Sequence, residues 1–199
     1  MTHLTPSISC TSFQGHRRIA SGPLHVVALA VKLATERDGA KPIWIFDDST
    51  GRSIDIDTRG SDDDVFARYA LEKTVAEESE AEAAPEVPRG RGRPKLGVVA
   101  REVTLLPRHW EWLAGQPGGP SVVLRKLVEE ARRTHAERDK VRANQERAYH
   151  FMSAMAGDMP GFEEATRALF ANDAAKFAEL IAAWPADVRD HAMRLAFSP

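Results

Sequence analysis

Residues 98–131 read VVAREVTLLPRHWEWLAGQPGGPSVVLRKLVEEA. The first nine, Val98 to Leu106, are β-branched and aliphatic enough to predict a strand. Pro107 stands at a natural first helical position, and the stretch that follows it predicts a short helix with Trp110 and Leu113 on one side. Gly119 belongs to a glycine-rich turn, and Ser121 is the expected cap of a second helix. That helix carries Val123, Leu124, Leu127, Val128 and Ala131 as an apolar stripe. It then becomes highly charged until Tyr149, Phe151, Met152 and Met155 restore apolar character. A polar middle on so long a helix suits a bridge between packed ends, or a surface that meets a partner. One strand alone leaves its N–H and C=O groups unpaired, so residues 98–106 require a partner strand, which a second copy of the chain would supply.

Charge singles out the same region. Net charge is −2 over 199 residues, yet residues 87–150 hold 14 Lys/Arg against 7 Asp/Glu, while residues 72–86 hold 1 against 6. A polyanion contact is therefore sought in the middle third of the chain. Just before the strand, residues 88–95 read PRGRGRPK. Gly92 lets backbone approach a groove floor, Arg91 and Arg93 answer the negative potential of a narrow A/T minor groove, and Pro94 keeps the chain extended. Arg89 and Lys95 add phosphate contacts. Within the strand, Arg101 shares a face with Val103 and Leu105, whereas Glu102, Thr104 and Leu106 share the other with Ala100. Glu102 would be repelled by phosphates, which weakens direct major-groove reading by this strand. The mixed charges farther along the second helix read as i to i+4 support on a wet face.

Working outward, residues 1–73 predict a small α+β domain. A strand pair is expected around Phe13 and Ile19, a buried helix from Leu24 to the glycine at 39, a hairpin bearing Ile43, Ile45, Ile54 and Ile56, and a helix capped by Ser61 with three aspartates in its first turn. Residues 74–97 read as an acidic, then basic, flexible linker. Residues 98–156 form the strand-helix-helix segment with its long second helix, and residues 157–199 a helical tail of two or three short helices.

Several function classes are disfavoured. The single cysteine, Cys10, rules out an internal disulfide framework and points to a reducing cytoplasm. The N-terminus lacks a secretory pattern, and no apolar run approaches the ~18 residues that span a membrane. Phosphate-loop, dinucleotide, HExxH and nucleophile-elbow motifs are absent. Asp47, Asp48, Asp55 and Asp57 offer oxygen ligands for a divalent metal, the basis of an alternative reading as a metal-dependent enzyme. His16, Arg17 and Arg18 form a basic turn that could serve as a phosphate or catalytic patch, though an exposed turn is the plainer explanation. No cofactor, metal site or catalytic residue is expected.

Four phrases, FQGHRRIASGPL, IFDDSTGRSIDIDTRGS, GRPKLGVVAREVTLLPRHWEWL and MAGDMPGFEEATRALFANDAAKFAELIAAWPADVRDHAMRLA, together resemble a bacterial family known as domain of unknown function 2239. The resemblance covers nearly the whole chain and implies one protein type rather than a fusion; it implies no activity. Residues 99–131 also resemble ribbon-helix-helix repressors, with Pro107 opening the first helix, Trp110 and Ala114 at its inner positions, and Gly119 with Ser121 at the turn. The Arg91-Gly92-Arg93-Pro94 run resembles the core of an AT-hook. The leading expectation is a cytoplasmic, non-catalytic DNA-associated regulatory protein that contacts A/T-rich double-stranded DNA, with a homodimer or other protein as partner and no membrane. The alternative is a non-catalytic interaction or adaptor protein.

Overall fold

The computed structural model describes residues 8–38, 41–70, 99 and 101–198. By contacts the chain forms two units, Met1–Ala83 with Lys140–Pro199, and Ala84–Asp139. The first unit opens with β1 (Ser9–Gln14) and β2 (Arg17–Pro23), an antiparallel pair. Helix α1 (Leu24–Arg37) follows, then β3 (Ile43–Asp47), which pairs antiparallel with the other edge of β1. The strand order is β2-β1-β3, so β1 is central and its residues Cys10 to Phe13 are all buried.

Alternation along β1 divides two cores. Cys10 packs with Ile45 against Leu24, Val27 and Val31 of α1. The α1 stripe 24, 27, 28, 31 has the spacing of one helical face; Val26 and Leu33 fall off it and are exposed. On the opposite face, Phe13 and Phe46 point away from α1 into the second, larger core. Helix α2 (Asp62–Ala70) begins as its sequence predicts: Ser61 N–H donates to the Asp64 carboxylate at 2.8 Å, and Asp64 N–H returns a bond to the Ser61 hydroxyl at 3.2 Å.

The hairpin expected over residues 43–60 is realised only near its turn. The Asp47 carboxylate accepts from Ser49 N–H and from the Ser49 and Thr50 hydroxyls, and Gly51 N–H closes on Asp47 C=O at 2.7 Å. The return arm keeps a single bridge, Phe46 to Ser53. Beyond Ile54 the chain is drawn toward α2, where Asp57 N–H donates to the Tyr69 hydroxyl at 2.6 Å.

In the second unit, α3 (Pro107–Ala114) starts at its proline as expected. Residues 99 and 101–106, where a strand is predicted, form no strand among the described residues; backbone at Leu106 is extended, with φ −65° and ψ 149°. Helix α4 (Pro120–Ala156) begins one residue earlier than Ser121. Ser121 is therefore not its cap: proline has taken the first helical position, Gly119 C=O accepts from Val122 and Val123 N–H, and Ser121 C=O accepts from Arg125. Trp110, expected on the inner side of the first helix, is exposed, as is Trp112.

The C-terminal end of α4 returns to the first unit. Ala148, Phe151, Met152, Met155 and Ala156 are buried at the i, i+3, i+4, i+7, i+8 spacing of an amphipathic helix. They pack with α5 (Phe162–Phe170), α6 (Ala174–Leu180) and α7 (Ala186–Phe197). Asp173 caps α6 by accepting Lys176 N–H at 2.9 Å, and Trp184 donates its indole N–H to Pro160 C=O at 3.0 Å. Phe13 and Phe46 share this core. The architecture is thus a mixed α+β N-terminal region followed by several helices, with the sheet and the last helices joined through one apolar interior.

Gly51 locks the hairpin turn onto α4. Its φ is +66°, and a Cβ built there would lie 1.8 Å from the backbone carbonyl oxygen of Arg147. Both the left-handed backbone and the contact with an immobile helical carbonyl exclude a side chain. Gly51→Ala should destabilise the protein by about 3 kcal/mol or more; an unchanged urea midpoint for this variant would refute the close approach.

Candidate functional site

Of the residues expected to touch nucleic acid, Arg89, Arg91, Gly92, Arg93, Pro94 and Lys95 lie outside the described residues. So does the linker at 74–97. Arg101 is described and exposed. Around it, among the described residues of the second unit, few apolar side chains are buried. Leu113 is 3% exposed, but Val103 is 53%, Leu106 50%, Trp110 40%, Leu127 43% and Val128 57%. Leu124 is half-buried. The charged stretch of α4 behaves as its spacing predicts, since Glu129 pairs with both Arg132 and Arg133.

The first unit contains a polar constellation that sequence reasoning missed. Asp48 follows β3, and its side chain is 13% exposed. Thr11 on β1 donates its hydroxyl proton to Asp48 Oδ1 at 2.8 Å. With that proton committed, the Thr11 oxygen accepts from the Ser21 hydroxyl and from Arg194 Nη2, both at 3.0 Å. Arg194 Nη2 also lies 3.4 Å from Asp48 Oδ2 and 2.8 Å from His191 Nδ1.

An arginine can only donate, so Nδ1 of His191 must accept and the imidazole proton sits on Nε2. That nitrogen faces Asp48 Oδ1 at 3.6 Å and has no closer partner. His191 is fully buried, with its ring edge-on to Phe13 at 5.4 Å and to Phe151 at 4.5 Å between centroids. Burial, then the positive charges of Arg194, Arg18 and Arg147, push its pKa down to about 3. Arg147, whose own pKa is lowered by burial, donates Nε–H to Leu195 C=O at 2.7 Å. The imidazole is buried and held neutral, with Phe13 and Phe151 against its ring. Its geometry clamps α7 to β1. A hint existed in the i, i+3 spacing of His191 and Arg194 on one helix, but Thr11 and Asp48 are too distant in sequence to have been connected with them.

The four aspartates considered as metal ligands do not converge. Asp47 holds its own turn, and Asp48 belongs to the clamp. Asp57 is bound by Arg59 through two guanidinium bonds at 2.8 Å, the first cause of a pKa well below the usual carboxylate range. Among the described residues no group of three His, Cys, Asp or Glu is placed to hold a metal ion. No helix of the described residues is long and apolar enough to cross a membrane.

A family model described as an uncharacterized protein conserved in bacteria, DUF2239, matches residues 9–196. No curated protein and no solved structure matches the chain.

The clamp makes a pH prediction. His191 takes up a proton at pH about 3 in the fold but at its ordinary 6.5 when unfolded. Between those values the unfolded chain binds more protons, so the histidine's contribution is complete above pH 6.5 and is lost as pH falls toward 3. At pH 5 the loss should be about 2 kcal/mol. His191→Gln keeps an acceptor for Arg194 and removes the titration. Its urea midpoint should fall less between pH 7 and pH 5 than that of the wild type; parallel declines would contradict the buried neutral imidazole.

Proposed function

The chain belongs to this uncharacterised bacterial family, and we propose that it is a non-catalytic DNA-associated regulatory protein working as a pair of chains. The observation that carries this reading is that the segment from Val103 to Val128 leaves Val103, Leu106, Trp110, Trp112, Leu127 and Val128 in water and buries Leu113 alone, with Leu105, Val122, Val123 and Leu124 half-buried. A strand-helix-helix half has this character before it pairs. In a paired ribbon, residues 101–106 gain backbone partners from the other copy and the helices bury Trp110, Leu127 and Val128 against their equivalents. Such pairing doubles the local positive charge and sets two PRGRGRPK arms beside one duplex. Each arm has the chemistry of a minor-groove contact: paired guanidiniums, a glycine that permits close approach, and a proline that prevents coiling.

The alternative, an adaptor that recruits another protein, draws on a different observation. Tyr149 and Phe170 are both exposed, with ring centroids 5.7 Å apart, an aromatic patch of the kind enriched at protein interfaces.

Titration of A/T-rich and G/C-rich duplexes at several salt concentrations tests the lead reading. Wild type should prefer the A/T-rich duplex. The Arg91→Ala/Arg93→Ala variant should lose that preference, with its log K against log salt slope reduced by about 2 for each arm, about 4 for the pair. Superimposable curves for the two proteins would remove the arm from the account. Light scattering should report a dimer for the wild type and a monomer for Leu127→Asp/Val128→Asp; a wild-type monomer throughout the binding range would rule out the paired ribbon.

A further inference from the structure

The end of the β1–β2 pair and the C-terminal turns of α1 enclose a groove of about 530 Å³, lined by Gln14, Arg17, Arg18 and Ile19 on one side and by Leu33 and Arg37 on the other, with Lys41 at its rim. We propose that this groove binds a small phosphorylated ligand of the nucleotide class. Nothing in this proposal uses residues 88–131, so it stands apart from the DNA reading.

The first support is how the strand aims its cations. Pairing between β1 and β2 runs Ser12 to Ala20 and then Phe13 to Arg18, leaving Ile19 as an extra, bulged residue. Beyond the bulge, Arg17 stands opposite Gln14, on the face of the sheet that α1 covers. Had the register continued unbroken, alternation would have turned Arg17 to the other face. The irregularity therefore delivers a guanidinium to the groove that a regular strand would have sent away.

The second support is charge without a counterpart. Arg17, Arg37 and Lys41 come from a strand, a helix and a loop; Arg18, opposite Phe13, belongs to the other face of the sheet, where its backbone N–H donates to the Asp187 carboxylate at 2.8 Å. Among the described residues none of these three side chains pairs with a carboxylate, and Asp38 is the one acid in the lining. The Asp38 backbone is already committed, its C=O to Gln14 Nε2 at 2.7 Å and its N–H to Ala34 C=O. Arg37, in the last turn of α1, has a reason of its own to be there, because cations are favoured at helix C-termini. Arg17 and Lys41 have no such reason. Like charges gathered around one concavity repel each other until an anion arrives, and guanidiniums match phosphate oxygens two at a time.

The third support is that the groove is not merely basic. Ile19, Ala30, Leu33 and Ala34 give it an apolar wall, with Leu33 exposed although it lies on a helix that packs its other face. Inorganic phosphate would answer the cations and leave that wall wet. A molecule with phosphates at one end and a flat ring at the other answers both, and the volume suits one such molecule rather than a duplex.

Calorimetric titration of the full chain with ATP, adenosine, tripolyphosphate and a 20-base-pair duplex tests the assignment. ATP should bind saturably, and at least about tenfold more tightly than either adenosine or tripolyphosphate. Arg17→Ala/Lys41→Ala should weaken ATP at least about tenfold, since hydrogen bonds to charged groups are among the strongest available. Both side chains are at the surface, so the variant should keep the wild-type circular dichroism; Leu33→Asn, which removes the apolar wall without adding charge beside the cations, should weaken ATP by a similar factor. Absence of saturable ATP binding, or equal binding by wild type and variants, would overturn the proposal. Duplex binding that is lost in Arg17→Ala/Lys41→Ala while ATP fails to bind would assign the phosphates to a nucleic-acid backbone and overturn it too.

Discussion

A three-stranded sheet presents two faces, and here both carry large apolar side chains from which water must be kept. One face is closed locally by α1, within thirty or so residues of the strands it covers. The other cannot be closed by anything nearby. Phe13 and Phe46 wait for Phe151, which lies 5.4 Å from the first and 5.0 Å from the second, and for the helices that follow it. Each such ring, fully buried, is worth roughly 1.5–3 kcal/mol. The two ends of the sequence are bound into one unit by this requirement, and the Thr11, Asp48, His191 and Arg194 clamp is its polar counterpart. It joins the same strand to the same helix through bonds that leave Thr11 fully satisfied.

The polar surface of α4 has a structural use where it enters this unit. Gln145 donates to Leu169 C=O at the end of α5, Arg147 to Leu195 C=O in the last turn of α7, and Asn144 to Ser198 C=O just beyond it. These carbonyls are among those that a helix cannot satisfy itself. One helix thus buries an apolar stripe and, on its flank, supplies donors to the ends of two others. Arg147 does double service, because its own backbone carbonyl is the surface against which Gly51 closes.

Local signals in the sequence were dependable and long-range ones were not. The helix after Pro23, the Ser61 cap and the apolar return at Phe151, Met152 and Met155 all follow from chemistry within one or two turns, although Tyr149, expected with them, is exposed. Ser121 was misread because the competing rule, proline at the first helical position, outweighed it. The return arm of the hairpin looked like a strand from Ile54 and Ile56, yet Tyr69 and Arg68 pull Asp57 toward α2, an influence no alternation pattern contains. Trp110 resembled a core residue because an aromatic beside an aliphatic run reads as buried, yet it is exposed. The basic turn at His16 to Arg18 was legible as charge only; that a bulge at Ile19 turns Arg17 into a concavity depends on register, which pairing decides.

The late closure of the inner sheet face has a cost during synthesis. Phe13 and Phe46 leave the ribosome early, but Phe177 and Leu195 are made more than a hundred residues afterwards. At roughly 5–20 residues per second that interval is on the order of ten seconds. For that time a nascent chain displays a sticky aromatic sheet with nothing of its own to place over it, and an emerging polypeptide in that state is open to aggregation until its last helices arrive.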